Sequence, residues 1–236
     1  MCVTAGARIT GSVPATGSSP YPRWDGPATV VNVRAAVQRM VAETGGPNDH
    51  VVFVTSSHGS GDGKGNSYLC LLPDPIVGKT ACERAGQYWA HELGSDLARN
   101  GLNLSRTFVF IDACFSGGLI PELVSAVPRI VGSTTCTRKG YGYDVSTFHH
   151  GAWTQEFLIE GLCDRIGAQD TDLVQLFQDA QANYVKVHRQ RGDQPCFFGH
   201  IDGHMYNSEE VLGNLTGSDT VLPSHTFSLK DWIGLP

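Results

Sequence analysis

The chain has 236 residues, 41% of them hydrophobic and 17% charged, so it is long enough to bury one sizeable core and has the size of a single α/β domain. Its formal net charge is −6, and the sequence has no basic stretch that would bind phosphates. Both observations argue against nucleic acid and anionic membranes as partners. No run of about 18 apolar residues is present. Residues 1–22 also lack the cationic start and apolar centre of a signal peptide, so the sequence predicts a cytoplasmic protein.

Strand-like and helical patterns alternate along the chain. In order, we predict a helix over 29–44, a strand over 50–55, a loop over 56–66, a strand over 68–72, a helix over 85–100, a strand over 107–112, a short helix over 118–126, a strand over 129–133, an exposed loop over 136–150, and helices over 152–162 and 170–190. This alternation favours an α/β fold with a mostly parallel sheet covered on both faces.

The cysteines and histidines indicate neither a disulfide framework nor a metal site. There are seven cysteines, an odd number, with no Cys-x-x-Cys pair. His200 and His204 have the spacing of a helical metal site, but Asp202 and Gly203 between them disfavour a helix. We therefore predict no metal and no cofactor.

Two chemically useful side chains follow two predicted strands. The apolar run 107–111 leads into Cys114 and then the glycine pair Gly117-Gly118, which allows a sharp turn and a close approach to a ligand. The run 51–54 leads in the same way to His58. A thiol with an imidazole in reach to take its proton is sufficient for a cysteine-hydrolase dyad.

The sequence around these two residues closely resembles the caspase-like cysteine peptidases. The motifs are His58-Gly59 and, with the cysteine 56 positions after the histidine, Asp112-Ala113-Cys114-Phe115-Ser116-Gly117. Asp at the first motif position is similar to metacaspases and bacterial caspase homologues, with legumains as the second choice. Residues 151–158 and 194–199 are similar to the family's small-subunit helix and closing segment, so the resemblance covers roughly residues 28 to 205.

The resemblance implies a caspase-like three-layer sandwich. It also implies that the family's first strand and helix are missing, because residues 1–27 are too short and too rich in Gly, Pro, Ser and Thr for both, although Val3–Ile9 is compatible with one poor strand. We expect an irregular N-terminal segment (1–27), a peptidase domain (28–206) and a C-terminal extension (207–236).

Residue roles follow from the resemblance. Cys114 is the expected nucleophile and His58 the base, and the backbone N–H groups of Gly59 and Cys114 are the expected oxyanion donors. Asp112 is expected to attract a cationic substrate side chain, and the remaining substrate-binding positions are Ser56 and Ser133. The alternative for Asp112 is a buried structural carboxylate.

The resulting functional hypothesis is an endopeptidase that cleaves peptides or proteins after Arg or Lys. Self-cleavage is expected after Arg138 or Lys139, in the loop over 136–150. A regulatory or activating protein chain is the other partner that the resemblance suggests. Three alternatives stay open: a legumain-like Asn-specific protease, a transpeptidase, and an inactive interaction module.

Overall fold

The computed structural model describes residues 2–4, 27–44, 46–72, 86–99, 105–145, 150–163, 172–188, 194–201 and 204–208. Its strands form a central sheet of six strands and two smaller sheets. The strands are β1 (Cys2–Thr4), β2 (His50–Ser56), β3 (His58–Gly61), β4 (Ser67–Leu71), β5 (Gly86–Trp89), β6 (Arg106–Asp112), β7 (Ile130–Thr134), β8 (Asp144–Val145), β9 (His150–Gly151), β10 (Cys196–Ile201) and β11 (His204–Asn207). The helices are α1 (Val30–Glu43), α2 (Ala90–Ala98), α3 (Ile120–Ala126) and α4 (Leu173–His188), with a 3₁₀ turn over Ser116–Leu119 and a π-helix over Thr154–Cys163.

The order of strands in the main sheet is β1-β2-β6-β7-β10-β11. The pairs from β1 to β7 are parallel, whereas β10 and β11 are antiparallel to their neighbours. β6 therefore lies in the middle, and its apolar run from Thr107 to Ile111 is buried. The predicted α/β fold with a mostly parallel sheet is confirmed.

Helices cover both faces of this sheet. Val109 and Ile111 of β6 pack with α1, α2 and α3 in one apolar cluster. Phe108 and Phe110, which alternate with them, pack with α4 and the π-helix in a second cluster. The clusters lie on opposite faces of the sheet and give three layers, with β6 at the centre.

Two helix starts have local explanations. The Thr29 side chain accepts a hydrogen bond from Asn32 N–H at 3.3 Å and so caps α1. At α2, the Glu92 carboxylate accepts from the Trp89 N–H at 3.1 Å. Glu92 and Asp96 of α2 also hold Arg34 of α1, with the Arg34–Asp96 ion pair at 2.8 Å. These contacts fix the two helices beside one another.

Several predicted elements differ from the structure. The predicted loop over 56–66 is wrong at its start, where β3 pairs with β4 as a hairpin. The predicted helix over 85–100 begins with strand β5, and the helix near 152–162 is wound as a π-helix. Within the predicted irregular segment 1–27, residues 2–4 form the strand β1 beside β2. The expected absence of the family's first helix concerns residues 5–26, which lie outside the described residues.

No helix in the described part of the chain is long and apolar enough to cross a bilayer.

Candidate active site

Two neighbouring strand ends bring the predicted nucleophile and base to one place. Ser56 and Asp112, the last residues of β2 and β6, are partners in the parallel register. Just beyond them, the Ser57 N–H donates to the Asp112 carbonyl at 3.0 Å. Because His58 and Cys114 follow directly, both lie at the carboxyl edge of the sheet, where open α/β sheets bind ligands.

Gly59 lies directly against the backbone of Cys114. A β-carbon at this position would overlap the Cys114 carbonyl oxygen and would lie 3.1 Å from the Ala113 β-carbon. Only a residue without a side chain allows the two backbones to come this close. The contact fixes β3, and with it His58, relative to Cys114.

The hydrogen-bond ladder of the β3–β4 hairpin orients the Gly59 amide. The Asp62 N–H donates to the Asn66 carbonyl at 3.1 Å at the end of the hairpin. Hydrogen-bonded and non-hydrogen-bonded pairs alternate in an antiparallel ladder, so Gly59 and its partner Leu69 form a non-hydrogen-bonded pair. The Gly59 N–H therefore points away from β4, as a donor to an oxyanion must.

The thiol and the imidazole are both accessible. His58 is exposed and Cys114 is half-buried. The Cys114 sulfur lies 3.8 Å from the Gly142 carbonyl oxygen, to which it donates. Cys114 is a free thiol, as are Cys70, Cys136, Cys163 and Cys196. Gly142 thus contacts the thiol through its carbonyl oxygen without burying it.

Asp112 is buried, with 5% of its surface exposed. This burial raises its pKa above the ordinary value, and the neighbouring Asp144 acts in the same direction, while hydrogen bonds from Thr154 oppose the rise. The Thr154 hydroxyl donates to one carboxylate oxygen. β-carbons at Gly142 and Gly151 would both meet this carboxylate, so two glycines enclose it.

The two predicted serines lie in different environments. Ser56 is half-buried beside Asp112. Ser133 is completely buried on β7, where its hydroxyl donates to the Cys196 carbonyl at 3.0 Å and accepts from the Trp153 indole N–H at 2.9 Å. The Ser133 hydroxyl is therefore committed to the core and does not reach a surface where a peptide would lie.

The segment after β7 contacts the residues on either side of Cys114. The Cys136 thiol donates to the Ala113 carbonyl at 3.3 Å. A turn follows, in which the Gly140 N–H donates to the Thr137 carbonyl at 3.1 Å. Of the two predicted cleavage residues in this turn, Arg138 is half-buried and Lys139 is exposed.

Phe115 has a left-handed backbone with φ 58° and ψ 16°. Its N–H donates to the Gly140 carbonyl at 2.9 Å, and its ring meets the Tyr141 ring edge-on at 5.1 Å between centroids. The sequence did not predict this conformation, the contact between Gly142 and the Cys114 thiol, or the hydrogen bond from Thr154 to Asp112. The glycines at 140 and 142 were the available signal, because they mark a loop that can approach another backbone closely.

No protein-family model matches this sequence, and no curated protein matches it. Among solved structures, caspase-1 of Spodoptera frugiperda is similar, with a TM-score of 0.45 and 13% sequence identity. The similarity covers 71% of this chain and 66% of that chain, slightly less than two thirds of the caspase's length. A likeness this distant identifies neither substrate nor mechanism.

Proposed function

We propose that this protein is a cysteine endopeptidase that cleaves peptide bonds after Arg or Lys through Cys114 and His58. The observation that carries the proposal is the position of both residues just beyond the paired ends of β2 and β6, with Gly59 packed on the Cys114 carbonyl. A thiol, an imidazole and an outward-facing amide at one sheet edge are the groups that acyl transfer requires.

In the proposed reaction, the Cys114 sulfur attacks the scissile carbonyl while His58 holds the thiol proton. The resulting oxyanion accepts hydrogen bonds from the N–H groups of Gly59 and Cys114. The C–N bond then breaks, and His58 gives its proton to the leaving amine. Water resolves the acyl-enzyme by the same route, which restores the thiol.

The charge around Asp112 supports a basic residue before the scissile bond (P1). Asp112 is the carboxylate nearest in sequence to the nucleophile, and Asp144 adds a second negative charge close to it. A guanidinium or ammonium group would favour the ionised form of Asp112, which burial disfavours in the free protein. Gly142 lies next to both groups, because its carbonyl oxygen is 3.8 Å from the Cys114 sulfur and an added β-carbon would lie 3.4 Å from the Asp112 carboxylate.

Self-cleavage after Arg138 or Lys139 is part of the proposal. Both residues lie in the turn between Thr137 and Gly140, and Lys139 is exposed there. The two fragments should remain associated, because β7 before the cut pairs with β10 after it.

A second candidate is favoured by the burial of Asp112. A neutral Asp112 carboxyl can exchange hydrogen bonds with the amide of an Asn side chain, and this pairing requires no ionised group. A peptidase or transpeptidase of the same mechanism with P1 Asn is therefore the alternative.

The test combines covalent labelling with a substrate library. A peptidyl electrophile should add one label to the wild-type protein and to Cys163→Ala, which removes an exposed thiol, but none to Cys114→Ala. Turnover should fall by several orders of magnitude in Cys114→Ala and in His58→Ala, with unchanged unfolding curves.

The library decides between the two specificities. Cleavage after Arg or Lys supports the first candidate, and a profile dominated by Asn supports the second. A Cys114→Ala protein that still turns over substrate excludes both.

A further inference from the structure

We infer that Phe115 and Tyr141 form a subsite for an apolar side chain on the C-terminal side of the scissile bond, at P1′. This inference rests on the proposed peptidase function and adds a specificity at the leaving-group side. It concerns residues that the dyad and the Asp112 pocket do not use.

The backbone of Phe115 is the first observation. A left-handed conformation is costly for a residue with a β-carbon and is uncommon outside Gly, Asn and Asp. Phe115 holds it one residue after the nucleophile, where its N–H is bound by the Gly140 carbonyl. Strained residues that the surrounding structure enforces are concentrated at ligand sites.

The second observation is the exposed aromatic surface formed by the Phe115 and Tyr141 rings. The Phe115 ring is half-buried and supports the Tyr141 ring edge-on, and 53% of the Tyr141 surface remains exposed. Among the described residues Tyr141 is one of three large hydrophobic side chains with an exposed fraction of 53% or more. It directly precedes Gly142, whose carbonyl contacts the thiol. An exposed aromatic surface therefore lies beside the reacting sulfur.

The direction of the two segments assigns this surface to the leaving-group side. Gly142 contacts Asp112 and the Cys114 thiol, whereas Gly140 contacts the residue after the thiol, Phe115. Along the segment from Gly142 to Gly140, the chain therefore runs away from Asp112 and toward Phe115. A peptide whose P1 side chain occupies the Asp112 side must continue past the thiol toward the aromatic pair.

The chemistry of the two rings selects the occupant. Neither ring carries a charge, and an aromatic edge-to-face pair offers a rigid apolar wall at low entropic cost. A Leu, Met or Phe side chain would remove water from this wall, while Ser or Asp would leave it wet. We therefore expect an apolar P1′ preference.

The experiment uses internally quenched peptides that share one P1 residue and differ only in Leu or Ser at P1′. Wild-type protein should show a ratio of kcat/KM for Leu over Ser of about 10 or more. Tyr141→Ser should bring that ratio close to one, and Tyr141→Phe should keep it. Val187→Ser, which removes an exposed apolar side chain on α4, is the matched control and should leave the ratio as in wild type.

The outcomes separate this inference from the proposed function. If wild-type protein cleaves neither peptide and takes no peptidyl electrophile, the peptidase proposal fails. If it cleaves both with equal kcat/KM, or if Tyr141→Ser retains the Leu preference, only the subsite is overturned.

Discussion

Gly59→Ala tests the close approach of β3 to the nucleophile. The new β-carbon would overlap the Cys114 carbonyl oxygen and would lie 3.1 Å from both the carbonyl carbon of Cys114 and the Ala113 β-carbon. Two of these three atoms belong to the backbone, so no side-chain rotation relieves the overlap. We expect a loss of about 1–3 kcal/mol in unfolding free energy, the usual cost of overpacking.

The kcat of Gly59→Ala should fall by more than its loss of unfolding free energy accounts for. In the proposed reaction, separating β3 from Cys114 would move the Gly59 N–H away from the oxyanion. Loss of one such donor costs about 10²- to 10³-fold in kcat. The assay is kcat on a peptide with a cleavable P1 residue, measured well below the unfolding midpoint, together with urea unfolding of the same preparation.

Gly63→Ala in the same hairpin is the matched control. Gly63 has φ 73° and no atom within 4 Å of an added β-carbon, so the change costs backbone strain of roughly 1–2 kcal/mol without a clash. Both variants should lose comparable stability, but only Gly59→Ala should lose turnover. A Gly59→Ala protein with wild-type kcat, or equal loss of kcat in both variants, would refute the reasoning.

Three further changes have defined outcomes. Burial raises the pKa of Asp112 above its ordinary 3.8, so its favourable contribution is complete below that value and is lost as pH rises through the raised folded pKa. The stability of Asp112→Asn relative to wild type, from urea unfolding at several pH values, should therefore rise with pH across this window by up to about 1.4 kcal/mol per unit. Ser133→Ala leaves the buried Trp153 indole N–H without its acceptor and should cost about 1–3 kcal/mol in the same assay, with the P1 profile unchanged. Arg34→Met removes the cationic partner of buried Asp96, which keeps its hydrogen bonds from Gln38 and Tyr88, and should cost about 1–2 kcal/mol, because Arg34 is partly exposed.

Each of these has a result that contradicts it. A stability difference for Asp112→Asn that does not change with pH would mean that burial leaves the carboxyl unperturbed. A Ser133→Ala protein with a changed P1 profile would return Ser133 to the substrate site. For Arg34, the control is Arg39→Met on the exposed face of α1, and equal losses in the two variants would show that the ion pair contributes nothing.

The strongest parts of the sequence prediction were those that a local pattern determines. The apolar run 107–111 could only be a buried strand, and the stripe of Val33, Val37 and Val41 specified α1. The hairpin strand β3 was missed because His58-Gly59-Ser60-Gly61 has no side-chain pattern of its own. Its pairing depends on packing against Cys114, which no local rule contains.

The candidate site also combines features that follow from local sequence with features that depend on tertiary contacts. Cys114 and His58 could be chosen because residue type and position after a strand carry the chemistry. The left-handed Phe115, by contrast, is an unfavourable choice for its own residue type, and contacts with Gly140 and Tyr141 maintain it. The same applies to Asp112, whose buried state depends on Gly151 and Thr154, which lie far along the chain. Such tertiary contacts are not readable from the neighbours of a residue in sequence.

The central place of β6 also has a consequence for biosynthesis. A chain synthesised only as far as α3 contains both Cys114 and His58, yet it has only one of the two helical layers that cover β6. The strands β7 and β10 and the aromatic cluster around Trp153 arrive later, and parallel pairing over long stretches of chain forms slowly. A nascent chain that has reached α3 therefore carries Cys114 on an incomplete sheet until β7, β10 and the second helical layer have been synthesised.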